Sequence, residues 1–254
     1  MTHNGEARQG ETRQILGIQF HAGGVEEAIE RMKAGGLLVV PAAPALKEMA
    51  TNAGYRKALL DADVAITDSA FMVMAWNLIE HDHLPRVSGL KYLRALLDRE
   101  DARRPGNVLW VMAGEASARK NLEWLAADGI TVPEECVYLA PMYGDPIEDE
   151  ALVERLERLR PQHVVITVGG GTQERLGAYL KRRLNYRPSL HCIGAAIAFL
   201  SGDQVRIPMW ADKLYLGWFL RCLSSPRRYV PRYLTAPQLL PLLWRYRGNL
   251  PVES

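Results

Sequence analysis

The sequence predicts an α/β protein: a mainly parallel sheet flanked by helices, followed by a C-terminal helical appendage. Three observations lead there. Short β-branched or apolar runs alternate with amphipathic stretches, which is the signature of βαβ units. At 254 residues, 48% hydrophobic and 24% charged, the chain is long enough to bury a large core and has the composition of an ordinary globular protein. From about Met209 the alternation stops, and aromatic and basic residues take over without a clear strand between them. The chain therefore divides into an α/β domain, residues 1–205, and an appendage, residues 206–254.

Strands are expected at Gln14–Phe20, Gly36–Val40, Val64–Thr67, Asn107–Ala113, Val137–Ala140, His163–Val168 and Leu190–Ile193. The first helix, Val25–Ala34, places Val25, Ala28, Ile29 and Met32 at spacings of three and four while Glu26, Glu27 and Glu30 face away, so it packs one face on the sheet. The same pattern recurs at Leu46–Ala58, Ala70–Ile79, Ser117–Ala127, Asp149–Leu159 and Glu174–Arg183.

Composition narrows the function classes. No run reaches the roughly 18 apolar residues that span a bilayer, and the polar start MTHNGEARQGETRQ has no signal-like apolar stretch, so the expected location is the cytoplasm. Cys136, Cys192 and Cys222 form no C-x-x-C pair and read as reduced thiols, with neither a zinc site nor a disulfide framework. His81 and His83 sit in a loop-like HDHLPR stretch, and a lone H-x-H is more often solvated loop than metal site. The net charge is only +2, but Arg206–Arg247 holds eight basic residues against the single acid Asp212. That segment seeks anions. Its Trp210, Tyr215, Trp218, Tyr229, Tyr233, Trp244 and Tyr246 suit a lipid headgroup interface, although solvated arginines on a packed helical pair would leave the same pattern.

In open α/β sheets, ligands bind beyond the carboxyl ends of the strands. Three such ends carry polar or glycine residues. Asp68, in AITDS, follows a strand and stands at the mouth of the next helix, where it or Ser69 is able to cap. Taken alone, capping is the commoner role for such an aspartate. Gly169, Gly170 and Gly171, in VITVGGGTQE, let backbone approach a phosphate or a sugar, or simply make a tight turn. Neither G-x-G-x-x-G spacing nor an acid at ribose distance is present, which disfavours a nicotinamide oxidoreductase. Ala113, Gly114 and Glu115 form a third strand end able to border a nucleotide. The D-A-D of Asp61 and Asp63 precedes a strand instead of following one, and reads as a helix-end loop, not a metal site.

The run NAGYRKALLDADVAITDS, then PRVSG, then GAAIAFLSGDQVRIPMWADKLYLGWFLRCLSSPRRYVPRYL resembles the WecG/TagA/CpsF glycosyltransferases. The likeness extends from Gly17 to Leu234 and is most specific in the series Arg206, Pro208, Trp210, Leu216, Trp218, Arg221, Leu223, Pro226, Arg227, Arg228, Arg232 and Tyr233. It implies a Rossmann-like, inverting, metal-independent enzyme with no cofactor beyond its UDP-sugar donor substrate. The implied acceptor is a sugar on undecaprenyl diphosphate, at the inner face of the cell membrane. Asp68 aligns with the proposed general base. Arg206, Arg221, Arg227, Arg228 and Arg232 align with arginines of an appendage that closes over the site and holds the diphosphate. Arg86 and Gly89 fall on the family's R-V-T-G turn, and Gln173 and Glu174 on its Q-E pair near the donor pocket, with Gly114, Gly169 and Gly171 as further substrate contacts. The chain departs from the pattern at Val40 and Ala42 (family T-P-N, here Val40, Pro41 and Ala42), at Ile197 and Ala198 (family F-D), at Gly217 (the acid of L-E-W) and in the shortened GGGTQE loop.

The chemistry is consistent with the implied roles. A carboxylate takes the acceptor hydroxyl's proton while charge builds on the departing UDP, and arginines neutralise that charge through bidentate contacts. A second reading, from another class, is a non-catalytic scaffold that keeps the fold. Titration with UDP and UDP-sugars separates the two. Nothing in the sequence points to nucleic acid, and a homo-oligomer stays open.

Overall fold

The computed structural model describes residues 11–204, 208, 210–211 and 216–251. Eight strands make one sheet: β1 (Thr12–Ile15), β2 (Ile18–His21), β3 (Gly36–Val39), β4 (Val64–Ala65), β5 (Val108–Met112), β6 (Val137–Leu139), β7 (His163–Ile166) and β8 (Ser189–Cys192). Their order is β1-β2-β4-β3-β8-β7-β5-β6, and each pairing apart from the β1–β2 hairpin is parallel. The expected α/β, mainly parallel architecture is the one observed.

Parallel strands read as unbroken apolar runs because helices cover both faces. Leu37 and Val39 of β3 feed one core and Leu38 the other, as the period of two requires. The first core takes α2 (Ala43–Leu46), α3 (Ala53–Leu60), α4 (Ala70–Glu80), α8 (Glu150–Leu159) and α9 (Thr172–Arg183). The second takes α1 (Val25–Met32), α5 (Gly89–Leu97), α6 (Glu100–Arg103), α7 (Glu115–Ala127) and α10 (Ala196–Ser201). Helix α9 comes closest to the sheet at Gly177, where a Cβ would lie 2.6 Å from Leu37 Cδ1 and 2.7 Å from Cys192 Sγ.

Three expectations are corrected. The strand expected over Gln14–Phe20 is a hairpin: Leu16 and Gly17 take φ of 51° and 81°, the left-handed pair that a two-residue turn requires. Its support comes from far along the chain, since Leu16 N–H donates to Arg247 O at 2.8 Å and Gly17 N–H to Gly248 O at 2.9 Å. The helix expected over Leu46–Ala58 breaks into α2, a 3₁₀ turn at Lys47–Ala50, and α3. Asn52, in extended backbone, accepts the Tyr55 N–H at 2.9 Å and starts α3 afresh. Helices α5 and α10 were not anticipated; α5 begins where Ser88 Oγ accepts the Lys91 N–H at 3.1 Å.

Beyond α10 the described residues form three further α-helices, α11 (Gly217–Ser224), α12 (Pro226–Leu234) and α13 (Leu239–Tyr246). Leu239 and Leu243 of α13 are fully buried in the same core as α4, so this last helix returns to the sheet. No helix among the described residues is long and apolar enough to cross a membrane.

Candidate active site

A cleft of about 850 Å³ lies across the carboxyl ends of five adjacent strands. Each strand contributes the loop that follows it: Asp68 after β4, Val40 and Ala42 after β3, Gly194 to Ala198 after β8, Thr167 to Gly170 after β7, and Ala113 after β5. Arg221 of α11 and Tyr229 of α12 line it from the C-terminal helices.

Asp68 is released from capping because its neighbour does that work: Ser69 is the N-cap of α4, its side chain accepting the Met72 N–H at 3.2 Å. The loop from Pro85 to Gly89 then fixes the carboxylate. Thr67 Oγ1 donates to Pro85 O at 2.7 Å and accepts from Val87 N–H at 3.0 Å, locking that loop onto the strand end. Arg86 Nε donates to Asp68 O at 2.7 Å, and its terminal nitrogen stands 3.9 Å from Asp68 Oδ1. Oδ1 also accepts the Gly89 N–H at 3.0 Å. Oδ2 carries no hydrogen bond among the described residues, and the side chain keeps 29% exposure at the cleft. One oxygen is held, and the other has no partner among the described residues, on a side chain that lines the cleft.

The glycine-rich loop is built differently from a bare phosphate cradle. Gly171, at φ 85°, is the N-cap of α9, and its N–H donates to Glu174 Oε2 at 2.6 Å. Gln173 Nε2 donates to Glu174 Oε1 at 3.0 Å, and Gln173 Oε1 accepts the Gly194 N–H at 2.7 Å, joining the loops after β7 and β8. Burial pushes the Glu174 carboxyl above its ordinary range despite these donors. Gln173, Glu174 and Gly169 stand on the cleft wall, but the Glu174 carboxylate is spent on the loop, so it positions the backbone and does not reach for a ligand. Gly171 and Gly114, the N-caps of α9 and α7, sit one residue from the lining residues Gly170 and Ala113.

Of the five tail arginines that the resemblance singles out, the structure brings Arg221 to the cleft. Its guanidinium lies 4.2 Å from the Phe199 ring centroid, Nη1 donates to Tyr233 Oη at 2.9 Å, and Nε is buried without a partner. Arg227 is exposed on α12 and is not among the lining residues. Arg206, and the side chains of Arg228 and Arg232, lie outside the described residues. Sequence reasoning missed Tyr229, whose hydroxyl donates to Gln204 Oε1 at 2.7 Å, and Ser117 and Asn121 on α7. Asp61 caps the C-terminal end of α3, while Asp63 accepts the Leu37 N–H and pairs with Lys181 at 2.7 Å and Arg187 at 3.0 Å, so the D-A-D is the helix-end loop expected.

Residues 13–251 match the model of the Glycosyl transferase WecG/TagA/CpsF family. The chain belongs to that family. It is also 25% identical over 213 residues to the N-acetylglucosaminyldiphosphoundecaprenol N-acetyl-beta-D-mannosaminyltransferase of Bacillus spizizenii, covering 79% of this chain and 78% of that one. In this glycosyltransferase, four residues that depart from the family pattern, Val40, Ala42, Ile197 and Ala198, all line the cleft.

Proposed function

We propose that this glycosyltransferase moves a hexose or N-acetylhexosamine from a UDP-sugar to a polyprenyl-diphosphate-linked sugar in surface polysaccharide synthesis, inverting the anomeric carbon and using no metal. The observation that carries the reading is Asp68, a cleft-lining residue with Oδ1 held by Gly89 N–H and Arg86 and Oδ2 left without a partner among the described residues. In the proposed step Oδ2 takes the proton of the acceptor hydroxyl as that oxygen bonds to the anomeric carbon. The bond to the UDP oxygen breaks, and UDP leaves with the electron pair. Arg221, with a buried unpartnered donor, is placed to meet the charge on the diphosphate, and Arg206, Arg227, Arg228 and Arg232 are proposed to join it.

The acceptor class is supported by the Bacillus relative, whose name specifies a diphosphoundecaprenol-linked N-acetylglucosamine. The apolar wall of Val40, Ala42 and Ala198 withholds polar contacts from one side of the bound sugars, so a donor screen against a lipid-diphosphate monosaccharide is the direct route to their identity. A lipid-linked acceptor places the enzyme on the inner membrane face, which the exposed Trp218, Phe219, Leu223 and Leu234 of α11 and α12 support.

Asp68→Asn tests the mechanism. Transfer should fall by about 10²–10⁴-fold, the usual worth of a general base. UDP affinity and melting temperature should stay those of the parent, because Ser69 and not Asp68 caps α4. Normal turnover by the variant removes Asp68 from its role.

A further inference from the structure

The α7 side of the cleft holds hydrogen-bond donors that the step above leaves unused. Ser117 and Asn121 lie one turn apart on α7, hence on one face, and both line the cleft. Asn121 is only 2% exposed, yet its side chain makes one hydrogen bond: Oδ1 accepts from Ser201 Oγ at 2.7 Å. Ser201 Oγ donates to that amide oxygen while accepting the Asp203 N–H at 3.3 Å. The Nδ2 group is left with no protein partner among the described residues, as is the Ser117 hydroxyl.

An amide buried apart from its edge on a cleft wall, with its donor unclaimed by the described residues, points to an acceptor that arrives in the cleft with a ligand. The surroundings say what kind. The N-terminus of α7 has Gly114 at its cap and no side-chain cap bond, so its first N–H groups are unclaimed by side chains. At α9 the equivalent N–H, that of Gly171, is already taken by the Glu174 carboxyl. Phe199 of α10, which packs on α7, carries the Arg221 guanidinium with its unpartnered Nε. The acidic group on this wall, Asp203, is paired with Lys120 at 3.1 Å, and Gln204 Oε1 is taken by Tyr229. What remains on the cleft wall at this end is a set of donors beside a cation, the first-turn acid Glu115 being exposed and off the lining.

We propose that Ser117, Asn121 and the N-terminus of α7 hold the diphosphate of the nucleotide donor, Asn121 Nδ2 and Ser117 Oγ donating to phosphate oxygens that Arg221 also faces. This rests on the reading of the donor as a UDP-sugar and assigns the end of the cleft that its leaving group occupies. Asn121→Asp keeps the shape and an oxygen for Ser201 while replacing the donor with a second oxygen. Ser117→Ala removes a hydroxyl that supports nothing else in the fold.

UDP and uridine are titrated into the full-length wild type and both variants, with donor and acceptor KM measured alongside. UDP affinity should fall by about tenfold or more in Asn121→Asp and several-fold in Ser117→Ala, one lost hydrogen bond to a charged group being enough. Uridine affinity and acceptor KM should not move, and donor KM should rise. Unchanged UDP affinity in folded variants overturns the assignment, with Ser117→Ala deciding should Asn121→Asp not fold. An equal loss for uridine also overturns it, because the contact then belongs to the base. Wild type that binds no UDP overturns the donor reading and this inference together, whereas binding by wild type that the variants retain sinks this inference alone.

Discussion

At the scale of the residue, the division of labour between Asp68 and Ser69 decides the site. A sequence ending a strand in Asp-Ser before a helix does not say which side chain caps and which is left over. The structure answers with Ser69 Oγ on Met72 N–H. Asp68 was legible as a site residue because strand ends are where ligands bind, but its one free oxygen depends on the Gly89 N–H, more than twenty residues along and held there by Thr67. Glu174 shows the converse case, since a residue expected beside the donor spends its carboxylate on Gly171 and Gln173. Because burial raises its folded pKa, the folded state keeps a proton that the unfolded chain has already lost above about pH 4.3. The folded state then binds more protons, and stability falls as pH rises above that range. Glu174→Gln retains an oxygen for Gly171 and cannot ionise. Urea unfolding from pH 5 upward should show the variant gaining on the parent as pH rises, and parallel curves would mean that ionising this carboxyl is not a burden on the fold.

At the scale of the element, strands and helices that bury one face were readable, and those fixed by distant contacts were not. Helix α1 follows its apolar spacing closely, whereas the β1–β2 turn depends on Arg247 and Gly248 and leaves no local mark beyond Gly17. Helix α5 did leave one, in Ser88 followed by Leu90, Leu93 and Leu97, but the glycine at its first position hid the start. Its Tyr92 begins a buried chain across two strands. Tyr92 Oη lies 3.0 Å from His191 Nδ1, His191 Nε2 lies 3.1 Å from His163 Nδ1, and His163 Nε2 lies 3.4 Å from Asp101 Oδ2 on α6. Burial lowers the pKa of both histidines, and Arg99 adds to this at His163 while Asp101 opposes it. Burial likewise lowers His21 on β2. Folded imidazoles therefore stay neutral while unfolded ones take up protons below about pH 6.5, so stability is complete above that pH and is lost as pH falls through it. The melting temperature should drop between pH 7.5 and 5.5, and the drop should shrink in His191→Gln. An undiminished drop in that variant would place the acid sensitivity elsewhere.

At the scale of the whole molecule, a basic, aromatic tail was legible as helical from composition alone, but its route was not. Helix α13 returns to bury Leu239 and Leu243 beside α4, and the segment after it closes on the hairpin near the start of the chain. The tail also exposes large apolar side chains, with Trp218 at 49%, Leu223 at 64% and Trp244 at 67% exposure, alongside the exposed Arg227 and Arg245. Apolar area of that kind in a protein whose proposed acceptor carries a polyprenyl chain fits a surface that rests in the headgroup layer. Removing the whole tail would strip core residues as well, so substitution is the cleaner test. Replacing Trp218, Leu223 and Trp244 by serine touches exposed positions and should leave the melting temperature nearly unchanged. Full burial of one large apolar side chain is worth about 1.5–3 kcal/mol, so losing three partly inserted ones should weaken partition into phosphatidylglycerol-containing vesicles by well over tenfold. Binding by the parent should also weaken with salt, since arginines add an attraction of about 1 kcal/mol each near an anionic surface. Equal partition of parent and triple variant would mean that these rings do not meet lipid, and that the arginines around them are simply solvated.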